Sequence, residues 1–432
     1  MKTYLRALEA IESSGVRAWL VGDPVRKIAM GIYPSSLSVV VEPCDLETLR
    51  TSLGEGAVLG SEAFPVLHTS IRGSKVEIAC MKGQSIEEDL AKRDFSMNAI
   101  AIRSDDGFVD PFNGRHDIRN RLIRLTGDDI DLVTSDPIRI VRMLRFAAEL
   151  DMDIFWKSAT DVRAFIAQRP DQIRNAPTER WGREILNGMR RRPYDFIYLC
   201  DRYNLLPLFL NDLEQLKEIS IEGGGTLFDH TLNTLRIAQD FLGGRKRRDN
   251  DMAFSLSMLF HHAGAMSNQP ADAAKAAKIA TRHLKSWNVN SETIETVAFL
   301  VEKYQMLYEA KTEEALCAAA LQYGFAAVEM IIDFAICNSQ ADGMKNMEVL
   351  AANKWKLGEV IRRFDETQRR MEGNLRYLTG DEVMEVLDVK PGRVVGEILN
   401  ELDMAVGTGI VASKKEATEW VLKRGADAGD RG

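Results

Sequence analysis

The chain has 432 residues, of which 45% are hydrophobic and 28% charged. With 56 Lys+Arg against 64 Asp+Glu the formal net charge is −8. That excludes a globally basic field and confines any nucleic-acid site to a local patch. The length suits roughly three domains and a core large enough to fold without disulfides or a structural metal.

The N-terminal stretch MKTYLRALEAIESSG carries Glu9 and Glu12 and no uninterrupted apolar run. It reads as an amphipathic helix, not a signal peptide. Short β-rich runs follow, AWLVG, LSVVVE, KVEIACM and AIAIRS, each bounded by Gly, Pro, Ser or Asp. From about residue 130 the strand signals stop and helical periodicity continues to the end. The expected fold class is α+β: a small mixed head followed by a long all-α remainder.

Ser135-Asp136-Pro137 has the composition of a helix start, with a capping side chain and an early proline. Glycines 223–225 read as a flexible break, and GGRKRRDND as a polar loop with a weak basic patch from Arg245 to Arg248. FAAVEMIIDFAIC contains Glu329 and Asp333, which makes it a core helix and not a membrane span. Thr379 with Glu382, and Ser413 with Glu416, are capping-box patterns. The last eight residues, GADAGDRG, are expected to fray. The five cysteines are scattered and form no CxxC, which suits a reduced cytoplasm.

Four motifs carry the chemistry. Leu20-Val21-Gly22-Asp23-Pro24-Val25-Arg26-Lys27, with Gly31 and Ser36-Leu37-Ser38, comes first. Arg93-Asp94-Phe95-Ser96-Met97-Asn98-Ala99 and Asp110-Pro111-Phe112-Asn113-Gly114 follow. Asp136-Pro137-Ile138-Arg139 then leads into Arg142 and Arg145-Phe146. In that order the set resembles the class II tRNA nucleotidyltransferase (CCA-adding enzyme) and bacterial poly(A) polymerase family. Glu179-Arg180 resembles the opening of the family's neck motif, and 378–420 its C-terminal end. The resemblance implies a nucleotidyltransferase-like head (1–125), a helical neck that recognises the nucleotide and RNA end (126–210), an HD-like helical middle (211–345) and a helical tail (346–432).

Physical roles follow for each piece. Gly22, lacking a Cβ, lets backbone N–H groups approach a triphosphate, and Arg26 supplies a cation. Arg93, Asp94 and Asn98 resemble the family's ribose-reading motif. Asp136 and Arg139, three residues apart, offer an acceptor beside a forked donor, which matches the edge of cytosine or adenine. In the family this pair templates the incoming CTP or ATP base. Arg142, Glu179 and Arg180 join the implied nucleotide site.

The departures lie in one place. The family's metal-binding D-x-D aligns with Ser36 and Ser38, which period-2 geometry keeps on one strand face. Mg²⁺, the family's cofactor, is a hard cation that prefers carboxylates and phosphates, so two hydroxyls are poor replacements. Glu77, in KVEIACM, is a candidate third acid. The family's second loop glycine is Asp23, and the acid after Arg26 is Lys27.

A second constellation, His230, His261-His262 and Asp342, follows the order H…HD…D of HD phosphohydrolases, with His262 where that motif has aspartate. Imidazoles ligate transition metals, and a remnant helical fold with packed histidines is the plainer reading.

The neck is arginine-rich: Arg163, Arg169, Arg174, Arg180, Arg183, Arg190, Arg191 and Arg192. Arginines favour bidentate phosphate contact, so Arg183, Arg190, Arg191 and Arg192 are candidate contacts for an RNA partner, the tRNA 3′ end by resemblance. Acidic neighbours such as Glu184 offer the alternative of a solvated, paired helix face.

Three functions fit. The first is an RNA-binding relative with lost or strongly reduced nucleotide transfer, working with a protein partner or as a homo-oligomer. The second is an active RNA 3′-end nucleotidyltransferase that recruits metal through Glu77 and acids such as Asp94 or Asp110. The third is a metal phosphohydrolase using the histidine-rich middle.

Overall fold

The computed structural model describes residues 2–62, 64–127, 129–246, 248–266, 272–308, 312–371, 377–407 and 409–429. The chain divides into two compact units, Met1–Asn211 and Asp212–Gly432. The α+β class holds: the first unit contains a mixed sheet and a short two-stranded one, Leu122–Ile123 with Asp153–Ile154, the latter strand beyond the point where strand signals stop in the sequence, and the described residues of the second unit are helical. Among the described residues no helix is long and apolar enough to cross a membrane.

Seven strands form the head: β1 (Ala18–Val21), β2 (Ser36–Val41), β3 (Ala57–Ser61), β4 (Phe64–Ile71), β5 (Ser74–Cys80), β6 (Ala101–Ile102) and β7 (Phe108–Val109). Their order is β3-β4-β5-β2-β1-β6-β7. The run AWLV is buried at all four positions, which suits its place inside the sheet. β2 pairs parallel with β5, whereas its other neighbour, β1, is antiparallel.

Gly22, at φ 71, turns β1 into the helix Asp23–Ala29, whose first turn contains Pro24. β3 and β4 form an antiparallel hairpin that the sequence pattern did not announce. β3 alternates poorly and is mostly exposed, so it lacks the apolar face that signals a strand.

The helix expected to start at Ser135-Asp136 begins later. One helix ends at Ser135 and the next spans Ile138–Leu150 after Pro137, with no side-chain cap. Asp136 therefore stands just outside the helix. Its backbone carbonyl accepts the Arg139 N–H at 3.1 Å, while its carboxylate accepts from Arg180 at 2.7 Å. The carboxylate is thus engaged by a guanidinium and caps no helix N–H.

Helix Ile138–Leu150 is amphipathic. Ile140, Val141, Met143 and Leu144 are fully buried, and Arg139, Arg142 and Arg145 line the other side at spacing three. The helix Thr178–Arg191 packs against it. Trp181 stacks on Phe209 at 5.5 Å, and Gly188 sits against the ring of Phe196.

In the second unit, helices Leu227–Gly243, Asp251–Phe260, Ser291–Lys303 and Phe325–Ala341 pack on one another, with Phe254 edge-on to Phe334. Thr226 and Asp229 close a complete capping box directly after the triple glycine. The expected box at Thr379 and Glu382 is present. At the other site Ser413 Oγ accepts the Glu416 N–H at 3.3 Å, but the Glu416 carboxylate takes the Ala412 N–H instead. Val383, Leu402, Ala417 and Val421 share a separate small core among the last three helices. The final helix runs to Gly429, beyond the point where fraying was expected. All five cysteines are free.

A Cβ added at Gly188 would lie 2.5 Å from the Phe196 ring. Gly188→Ala is therefore expected to destabilise the chain by about 1–3 kcal/mol, the usual cost of overpacking, measurable by denaturant unfolding.

Candidate functional site

The strand–turn–helix at Gly22 places Asp23, Arg26 and Lys27 on one helical turn. Asp23 pairs with Arg26 and, at 2.7 Å, with Lys27. Both cations thus share one carboxylate, beside the turn where the sequence pattern anticipates phosphate. Arg26 is buried, at 6% exposure. It donates to Asn98 Oδ1 and lies 4.7 Å over the Phe146 ring. Burial lowers its pKa, with Asp23 and Asp94 pulling the other way. Arg93 is held by Asp89 at 2.8 Å, and a Cβ on Gly22 would lie 3.3 Å from its Nη1.

Ser36, Ser38 and Glu77 are brought together. The parallel register sets Ser38 opposite Glu77 and Ser36 opposite Lys75. The alternating partners Leu37, Val76 and Ile78 are buried, so the four polar residues share the open face. Glu77 is exposed, 3.7 Å from His68. Two hydroxyls, one carboxylate and one ammonium do not fit a divalent magnesium centre.

A continuous polar chain joins the second motif to the neck. Asn98 Nδ2 donates to Asp94 at 3.1 Å. Arg142 bridges Asp94 (3.0 Å) and Glu184 (2.9 Å). Arg145 bridges Glu184 (2.7 Å) and Glu149 (2.9 Å). Burial opposes the charge on Arg142, but Glu184 and Asp94 outweigh it and raise its pKa. Sequence reading treated Glu184 as a surface partner. It is 5% exposed and is the shared acceptor of this network. A lone acid facing two arginines spaced by three was the available signal.

Asp136, Arg139 and Arg180 also converge. Arg180 holds Asp136 Oδ2, and Arg139 Nη2 donates to the Lys92 carbonyl at 3.2 Å. Asp136 Oδ1 and Arg139 Nη1 are buried without a hydrogen-bond partner. Buried polar atoms left in this state are uncommon and need a reason. An acceptor beside a donor, both unfilled, is what a base edge would complete.

Glu179, Arg183, Arg190 and Arg191 are exposed on the helix Thr178–Arg191. Arg192 pairs with Asp195 at 2.7 Å. Arg163 stacks on Tyr203, Arg169 donates to Thr134 and Arg174 pairs with Asp171. Much of the arginine richness therefore serves the neck itself. The Arg245–Arg248 loop is also internally engaged: Arg245 pairs with Asp251 and Arg248 with Glu329, while Arg247 lies outside the described residues.

Residues 18–124 match the family model described as the Poly A polymerase head domain. Over its whole length the chain is similar to CCA-adding enzymes. It is 24% identical to that of Streptococcus mutans, covering 96% of this chain and 94% of the relative. It is 22% identical to that of Staphylococcus aureus, covering 96% of each. These likenesses support the resemblance to the class II tRNA nucleotidyltransferase family.

The fold agrees. The crystal structure of the Bacillus stearothermophilus CCA-adding enzyme in complex with CTP matches all of both chains, with a TM-score of 0.66 at 20% identity. The Thermotoga maritima CCA-adding enzyme complexed with tRNA matches 98% of this chain and 94% of its own, with a TM-score of 0.61 at 17% identity.

Outside the nucleotidyltransferase motifs, His230, His261 and His262 meet. Each presents a ring nitrogen within 4.8 Å of the others. Burial, with the neighbouring imidazoles next, pushes the pKa of His261 well below 6.5; the same causes bring His262 down to about 3. Burial also lowers that of His230. Asp342 stays apart from the cluster: it lines the adjoining cavity and pairs with Lys345 at 3.2 Å.

Two outcomes are expected. Arg142→Met leaves Glu184 and Asp94 without their shared cation and should cost on the order of 3 kcal/mol, read by chemical denaturation. With their pKa values lowered in the fold, the three histidines take up protons more readily when unfolded below pH 6.5. Stability should therefore fall as pH drops from 6.5 toward the lowered folded values, by up to about 1.4 kcal/mol per pH unit for each histidine. Unfolding in the presence of EDTA at pH 5 and pH 7.5 checks the slope, and His262→Gln should flatten it.

Proposed function

We propose that this chain binds an RNA 3′ end and an incoming pyrimidine or adenine nucleotide, but transfers nucleotides far more slowly than an enzyme with an intact metal site. The carrying observation is the open face of β2 and β5, which bears Ser36, Ser38, Lys75 and a single carboxylate, Glu77. Removing one preorganised electrostatic contact typically lowers a rate on the order of 10²–10³-fold. The residues of this face do not fit a magnesium centre.

Base recognition rests on different atoms. Asp136 Oδ1 and Arg139 Nη1 are unfilled, and their neighbours Arg180 and Lys92 fix the two side chains in place. The exposed Arg183, Arg190 and Arg191 supply a track for phosphates. Residues 1–125 form the nucleotide-handling head in this reading and 126–210 the neck that presents the RNA end.

The rival is an active transferase that draws metal to Glu77 with Asp94 or Asp110. Asp94 is occupied by Arg142 and Asn98. Asp110 accepts the backbone N–H groups of Gly114 and Arg115 at 2.6 and 3.0 Å. These engagements favour the first reading.

The test is extension of a tRNA lacking its terminal CCA, with labelled CTP or ATP and Mg²⁺ or Mn²⁺. The native chain should extend at least about 10²-fold more slowly than a Ser36→Asp/Ser38→Asp double variant. Equal, metal-dependent rates in the two proteins would overturn the proposal. Arg139→Ala should weaken nucleotide binding by about 10-fold or more, the worth of one bidentate base contact, as measured by equilibrium titration.

A further inference from the structure

The three histidines are unused by nucleotide transfer, and their geometry points to a ligand. Residues from two segments of the second unit build the cluster. His230 lies in the helix Leu227–Gly243, and His261 and His262 follow the helix Asp251–Phe260. Ring centroids are 4.0 Å apart for His261 and His262, 5.3 Å for His230 and His262, and 5.6 Å for His230 and His261.

His261 is 2% exposed. Its Nδ1 lies 2.7 Å from the Met258 carbonyl oxygen, to which it donates. That fixes the tautomer and leaves Nε2 with a lone pair, and Nε2 is buried without a partner. His262 Nδ1 is likewise buried and unpartnered. A ring nitrogen oriented by a carbonyl on its far side is the arrangement that metal-bound imidazoles use. His230 is steadied in turn by Asn338 at 3.0 Å, and Asn338 by Tyr308 at 3.1 Å.

Beside the cluster lies a cavity of about 240 Å³ lined by His230, His262, Tyr304, Tyr308, Asn338 and Asp342, among others. Three imidazoles without a carboxylate among them suit a borderline transition ion and not magnesium or calcium. Three protein ligands with a fourth position facing a polar cavity is the open form of a zinc site.

We propose that His230, His261 and His262 hold one divalent transition metal ion of the zinc class, with its remaining coordination position turned to this cavity and filled by water.

The experiment uses the purified full chain, stripped with chelator and dialysed against ZnCl₂ or CoCl₂. The expected result is one metal per chain by elemental analysis. The cobalt form should show the intense visible absorption of a four-coordinate ion, and zinc should raise the melting temperature. His230→Gln and His262→Gln should each weaken binding by about 100-fold or more, above the 10–100-fold typical of losing only a supporting contact. His262 is the least buried of the three, so its variant keeps the test valid if His261→Ala does not fold. His116→Gln, in the other unit, should bind as the native chain does. A chain that retains no zinc or cobalt would overturn the proposal. So would a pale, six-coordinate cobalt spectrum, or undiminished binding in both glutamine variants.

Discussion

One buried carboxylate organises the first unit. Glu184 receives Arg142 and Arg145 together, and Arg142 passes the connection on to Asp94 and so to Asn98 and Arg26. The neck is thereby registered on the head through charge as well as packing. Carboxylates in this position must be matched, since an unpaired buried charge is costly and a satisfied pair is not. The arrangement fixes where Arg139 and Asp136 stand, because Arg139, Arg142 and Arg145 share one face of one helix. The pair proposed to read a base thus shares its helix with arginines fixed by buried carboxylates.

Much of this was readable in the sequence. Gly22 at a strand end, alternating Ser36 and Ser38, and arginines spaced by three all carry local geometry. The α+β class followed from the change of periodicity near residue 130. What could not be read were relations across sequence distance. The pairing of Asp23 with both Arg26 and Lys27 was near enough in sequence to anticipate, but the convergence of Glu184 on Arg142 and Arg145 was not. The hairpin β3–β4 escaped because an exposed edge strand shows no apolar alternation. The break at glycines 223–225 hid a capping box, since Thr226 and Asp229 look like loop composition until a helix follows them.

In the proposed reading the two parts of the site differ in chemistry. Where the resemblance implies metal and phosphate contacts, the chain carries Ser36, Ser38 and Asp23. The positions that would read a base keep both chemical partners, with atoms still unfilled. Electrostatics makes this separation feasible. Recognition of a base edge depends on two directional hydrogen bonds, whereas metal binding depends on accumulated negative charge. Removing the second leaves the first intact.

The parallel pairing of β2 with β5 has a kinetic side. Ser36 meets Lys75, and Ser38 meets Glu77, only after the chain between them has folded into its hairpin and returned. Non-local parallel contacts bear the entropy of loop closure before they gain anything from packing. The polar face is thus assembled from the slow-forming part of the head, whereas the arginine stripe of Ile138–Leu150 takes shape within a single helix. During synthesis or refolding, the helix that carries the arginine stripe forms from local contacts, whereas the polar face of β2 and β5 waits for the sheet to close.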